Sequence, residues 1–96
     1  MGFRFEWDPE KELSNRKKHG VPFEEAQTVF FDENARIISD PDHSEHEERF
    51  LILGMSMTHR HLVVCHCCRE ADSVIRLISA RQATRNERAL YEERLR

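Results

Sequence analysis

Ile75-Arg76-Leu77-Ile78-Ser79-Ala80-Arg81, followed by Ala83-Thr84, Glu87 and Tyr91-Glu92-Glu93, is the stretch that decides the fold. The apolar residues and the arginines read as a β-strand over 73–79 that runs into a closing helix over 81–94. Arg76, Arg81 and Tyr91 gather at this strand–helix junction, and neither arginine has an acidic residue next to it in sequence. Guanidinium groups bind phosphate in two-pronged fashion, so the junction suits a phosphate-bearing partner.

Working backward, the period stays at two. Arg60–Cys67 reads as a strand, separated from the last by a turn at Arg69–Asp72. Arg49–Met55 is another, with Phe50 and Ile52 on one face and Leu51 and Leu53 on the other, the pattern of a strand covered on both sides. Ser56–His59 forms the turn between these two. Ala35–Ser39 is a short strand, and the acidic, Pro-containing run Pro41–Glu48 is a loop. Further upstream the pattern turns helical. Asp8-Pro9 marks a helix start, Asp capping and Pro at the first position, and Gly20 marks its end. Phe23, Ala26, Val29 and Phe30 share a face of a second helix. Residues 3–7 alternate as a strand. The whole predicts a single α+β domain over residues 1–96: an antiparallel meander flanked by N-terminal helices and a C-terminal helix.

Charge is divided unevenly. The net charge is −3, but residues 1–48 carry −7 and residues 49–96 carry +4, with every cation in the second half an arginine. This suits a compact anion-binding surface on an acidic body, and argues against indiscriminate coating of nucleic acid. No apolar run is long enough to cross a membrane and no signal-peptide pattern is present, so a cytoplasmic location is expected.

The ordered residues also carry a resemblance. Phe5, Trp7-Asp8, Lys11, Asn15, Lys18-His19-Gly20-Val21, Phe23-Glu24-Glu25-Ala26 and Val29-Phe30 are followed by Asp40, His43-Ser44-Glu45, Glu48-Arg49-Phe50, Gly54 and Ser56. With the C-terminal stretch, this set resembles the BrnT family, toxins of bacterial type II toxin–antitoxin pairs. The resemblance implies a RelE-like fold, a ribonuclease that inhibits translation, and a cognate, DNA-binding, BrnA-like antitoxin with which the toxin represses its own operon. It implies no cofactor. Pro22 departs from the pattern, which often has a Ser or Asp cap there.

Metal-independent RNA cleavage needs a base to deprotonate the 2′-hydroxyl, a cationic clamp for the phosphorane and an acid for the leaving 5′-oxygen. Histidine serves as base or acid near neutral pH. Arg76 and Arg81 are therefore the expected phosphate clamps, His66 the general acid or base, and Tyr91 a hydrogen-bond donor or stacking partner. Arg60, His61 and Arg85 are expected to touch the RNA, free or ribosome-bound. Pairing of Cys67 with Ile75 places His66 opposite Arg76 on one sheet face; a slip of one residue separates them. An antitoxin segment is expected across Arg76, Arg81 and the last helix.

Plainer duties compete with each assignment. Arg76 can pair with Glu87, His66 can be a structural hydrogen-bonding residue, Tyr91 can be core, and His19 ends its helix. Cys65, Cys67 and Cys68, with His59 and His61 nearby, offer C-x-x-C spacing. Cys65 and Cys67 share a strand face from which His66 points away, so the set does not make a tetrahedral site and no metal is assigned. The alternative function is a non-catalytic binding module acting only in operon repression.

Overall fold

The computed structural model describes residues 3–39, 49–69, 71 and 73–95. The 41–48 loop and residues 70 and 72 of the 69–72 turn lie outside the described residues. A five-stranded sheet has the order β1-β5-β4-β3-β2, from β1 (Arg4–Glu6), β2 (Arg36–Ile38), β3 (Phe50–Met55), β4 (His61–Arg69) and β5 (Val74–Gln82). β2 to β5 pair antiparallel in sequence order, but β1 joins β5 in parallel, so the sheet is mixed rather than wholly antiparallel. Among the described residues no helix is long and apolar enough to cross a membrane.

The first helix, α1 (Pro9–His19), begins and ends where its punctuation places it. The Asp8 carboxylate accepts the Glu10 N–H at 2.9 Å, and Gly20, at φ 70°, donates its N–H to the Arg16 carbonyl. Few apolar residues point inward from α1, and Asn15 attaches it to the sheet instead. The Asn15 amide donates to the Ala80 carbonyl (2.9 Å) and the Val21 carbonyl (3.0 Å), and its oxygen accepts the Ala80 N–H (3.1 Å). One side chain thus imitates a neighbouring strand along β5 beyond the reach of β1.

The second helix is short. α2 (Phe23–Ala26) tightens into a 3₁₀ turn over Gln27–Phe31. Thr28, Val29, Phe30 and Phe31 are β-branched or aromatic and poor at continuing an α-helix, and the Thr28 hydroxyl bonds back to the Glu25 carbonyl at 2.6 Å. Pro22 supplies no side-chain cap. Val21, Phe23, Ala26 and Val29 bury against Ile52, Leu62, Val64, Ile75, Leu77 and Ala80, with Phe5, Trp7 and Phe30 alongside. This is the helical face of the sheet.

The opposite face packs Leu51, Leu53, Val63 and Cys65 under Tyr91 of the last helix, α3 (Arg85–Arg94). β3 is thus covered on both sides at Leu51, Ile52 and Leu53, while Phe50 at its end is partly exposed. β5 ends three residues later than predicted, at Gln82, and α3 starts four residues later. Thr84 and Glu87 explain the boundary as a reciprocal capping box: the Thr84 hydroxyl accepts the Glu87 N–H, and the Glu87 carboxylate accepts the Thr84 N–H. Arg81 therefore belongs to the strand and not to the helix.

Candidate active site on the arginine-bearing face

Strand register decides which side chains meet. Cys67 pairs with Arg76 and His66 with Leu77, one residue away from the pairing that joins His66 to Arg76. Ile75 and Leu77 must join Leu62 and Val64 on the helical face, and this apolar requirement sends Arg76 to the other side. Ile78 has no partner on β4, because Cys65 pairs with Ser79; this bulge restores Ala80 to the helical face and Arg81 to the opposite one.

His66 is consequently not beside the arginines. It lies 4% exposed on the helical face, its ring edge-on to Phe30 at 4.7 Å and tilted against Phe50 at 6.0 Å. Burial lowers its pKa, which outweighs the opposing contact of Nδ1 with the Val64 carbonyl. It is a core histidine, set apart from the arginines.

Arg60 also turns away. By strand parity it sits on the helical side, where its guanidinium grips the Glu25 carboxylate (Nε to Oε2, 2.9 Å) and the Gly20 carbonyl (3.1 Å). Ser56 and Thr58 hydroxyls donate to the same carboxylate. The Arg60 bond, with help from these hydroxyls, holds the Glu25 pKa down to about 2 against its burial. The cluster clasps the β3–β4 turn to α2, and the Arg60 guanidinium is engaged within the fold.

The opposite face carries the rest. Strand parity and pairing place His61, Arg76, Arg81 and, from β2, Arg36 on it. Arg81 presents its guanidinium to Glu87 in two-pronged fashion, Nη1 to Oε1 at 2.7 Å and Nη2 to Oε2 at 2.9 Å. That pair holds the Glu87 pKa at about 2 and raises that of Arg81. The Arg81 side chain remains 37% exposed, so a ligand can reach it. Arg76 donates to Glu6 on the parallel strand β1 at 2.9 Å, and not to Glu87. Five residues along a strand separate Arg76 from Arg81, about 16 Å at roughly 3.3 Å per residue, too far apart to grip one small anion together.

Tyr91 is core. It is 3% exposed, and its hydroxyl donates to Asp32 at 2.7 Å. Burial, then the Asp32 carboxylate, pushes its pKa up to about 12. Asp32, despite its own burial, is held below the usual carboxylate range by the Met55 and Asn34 N–H groups and by Tyr91. The Tyr91 ring meets His61 edge-on at 5.1 Å, so it positions an imidazole rather than stacking on a base. Arg85 is exposed in the first turn of α3, beyond the strand end.

His61 is the residue that sequence reasoning undervalues. It is half-buried on the arginine face, two residues along β4 from Val63, the partner of Arg81. Diagonal neighbours of this kind lie within reach of long side chains, about 7–8 Å between backbones. Strand parity alone pairs it with Arg81, once the β5 strand is extended through that residue. Cys65 and Cys67 are buried thiols and Cys68 is an exposed one. Among the described residues no three histidine, cysteine or acidic side chains gather closely enough to hold a metal ion.

Fold and face together define a small α+β domain whose sheet carries preset guanidinium groups on one side. A family model, described as the ribonuclease toxin BrnT of type II toxin–antitoxin systems, matches residues 7–87, and the chain belongs to that family. Its fold is similar to that of the crystal structure of the Brucella abortus ribonuclease toxin BrnT, with a TM-score of 0.66 and 19% identity over 86% of this chain and 99% of that one. At that identity the likeness concerns the fold. No curated protein matches the chain.

Proposed function

We propose that this chain is a RelE-like, metal-independent endoribonuclease that inhibits translation by cutting RNA. The observation that carries the reading is Arg81, partly exposed on the sheet face, held in a fixed fork by Glu87 and set diagonally from His61. Arg81 stabilises the charge that accumulates on the phosphorane, using donors that Glu87 leaves over or exchanging Glu87 for phosphate oxygens. The 2′-oxygen bonds to phosphorus as its proton passes to a base. The bond from phosphorus to the 5′-oxygen breaks as that oxygen takes a proton, leaving a 2′,3′-cyclic phosphate. His61 is the group placed to move a proton in this sequence, with its ring steadied by Tyr91. Arg76 and Arg85 take neighbouring phosphates.

A BrnA-like, DNA-binding antitoxin would neutralise the toxin by covering Arg76, Arg81 and α3. Addition of the antitoxin should abolish cleavage; cleavage that continues within a stable complex sinks that part. The enzyme itself is tested with His61→Gln and Arg81→Ala on a defined RNA: both should lose turnover while remaining folded by circular dichroism.

One observation favours the second reading, a non-catalytic module acting in operon repression. Arg76 and Arg81 already have carboxylate partners, and His66 is withdrawn into the core. A module would leave RNA intact, and its expression alone would not arrest growth.

A further inference from the structure

β1 covers β5 only through Val74–Arg76, so the rest of that β5 margin faces α1. Between them lies an open groove of about 780 Å³. Ile78 and Ser79 form one wall, and α1 supplies Lys11, Ser14, Lys18 and His19. The bonds from Asn15 to Ala80 fix the roll of the helix, and residues 11, 14 and 18 share its β5-facing side with Asn15. Lys11, Lys17 and Lys18 are exposed, and among the described residues none lies within ion-pair distance of a carboxylate. The acidic residues of the groove, Asp8 and Glu10, stand at the N-terminal end of α1 just before Lys11, where the Asp8 carboxylate is engaged as the helix cap, and Lys18 stands at the other end. Arg76 and Arg81 thus have internal counter-ions while the groove lysines do not.

The position of the groove is as informative as its charge. Ile78 and Ser79 are the bulge residues between Arg76 and Arg81 on β5. An RNA strand held by both arginines passes the mouth of the groove. The groove lining contains no aromatic ring except the His19 imidazole, so it offers no platform for stacked bases. Lysine ammonium groups on flexible stems suit phosphates, whatever the base sequence. Lys11 and Lys18 are seven residues apart, about 10 Å along the helix at 1.5 Å per residue, far enough to engage separate phosphates.

We propose that this groove is an auxiliary track for the backbone of single-stranded RNA, with Lys11 and Lys18 each contacting one phosphate outside the cleaved linkage. The proposal rests on the ribonuclease reading above. The protein should accordingly prefer RNA several nucleotides long over a dinucleotide, without sequence preference in the added nucleotides.

The test measures binding of labelled 2′-O-methyl RNA, which lacks the attacking hydroxyl, as a dinucleotide and as a strand of about 12 nucleotides, a length typical of single-strand sites. Wild type is compared with the Lys11→Ala/Lys18→Ala double variant across a salt titration. Removing one lysine–phosphate pairing from a single strand lowers the slope of log K against log salt by about 0.7, so the double variant should lose about 1.4. Its affinity for the long strand should fall roughly tenfold or more at low salt, as expected for two ionic pairings. Dinucleotide binding should not change, and Lys11→Arg/Lys18→Arg should restore the slope. An unchanged slope in a variant with normal circular dichroism overturns the groove assignment. So does a variant that binds RNA normally but binds the antitoxin poorly. If wild type cleaves RNA and the slope is unchanged, only the groove fails; if wild type neither binds nor cleaves RNA, the ribonuclease reading fails with it.

Discussion

Replacing Asn15 by alanine should destabilise the protein more than any other single change in α1. The side chain is 7% exposed and serves three backbone groups: the Ala80 N–H, the Ala80 carbonyl and the Val21 carbonyl. Ala80 is fully buried, and β1 does not extend far enough to pair with it. A neutral hydrogen bond contributes about 1 kcal/mol net, and a buried group left without a partner costs about 1–3 kcal/mol. Partial entry of water beside α1 offsets some of this, so a total of about 3 kcal/mol is expected. At roughly 4–8 °C per kcal/mol for a domain of this size, the melting temperature should fall by about 15 °C. Thermal denaturation followed by circular dichroism measures it. Asn15→Asp is the sharper variant: it keeps an acceptor for the Ala80 N–H but turns a carboxylate toward two carbonyls, and should be at least as damaging. A fall of under about 4 °C for alanine, or near-wild-type stability for aspartate, refutes the strand-mimicking role. Because Arg81 follows Ala80 directly, the same variant should also loosen the proposed active site.

Three other outcomes follow from the packing. A Cβ on Gly54 would stand 2.9 Å from Ala35 Cβ and 2.9 Å from Val29 Cγ1, so Gly54→Ala should cost about 1–3 kcal/mol by urea denaturation, as overpacking does. Arg60→Ala should lower stability by breaking the Glu25 clasp, yet leave RNA affinity of the folded protein unchanged; weakened affinity would return Arg60 to the binding surface. Stability should also decline in acid in two stages. The folded pKa of His66 lies below its ordinary 6.5, so its contribution is present above that value and is lost as pH falls below it; His66→Phe should remove this first stage. Glu25 and Glu87, lowered from 4.5 to about 2, contribute above pH 4.5 and lose that contribution as pH falls toward 2; Glu25→Gln should flatten the second stage.

Local signals in the chain are strong enough to read elements but not their mutual placement. Asp8-Pro9 and Gly20 bound α1 because capping chemistry acts over a few residues, and the period-two runs mark β3 to β5 for the same reason. Register is different. The pairing of Cys67 with Arg76 depends on which apolar side chains the helices demand on one face, and the Ile78 bulge has no mark in a lone strand sequence. That single-residue shift turns Arg76 away from His66, which stays in the core with Leu62 and Val64, and onto the face of His61. The capping box of Thr84 and Glu87 is legible in principle, since the two residues are three apart, and it ends the last helix's upstream extension before Arg81. The Arg60–Glu25 clasp joins residues 35 apart, the Arg76–Glu6 pair joins residues 70 apart, and neither has a local signature. β1 adds in parallel because the helices and three other strands intervene before its partner, which composition and spacing do not reveal.

The most direct measurement of the central claim incubates the purified protein with a defined single-stranded RNA in excess EDTA, with and without ribosomes, beside Arg81→Ala. The account predicts products with 2′,3′-cyclic phosphate ends in at least one condition, and their loss in a variant that remains folded. Intact RNA in both conditions, or equal cleavage by the Arg81→Ala protein, would contradict it.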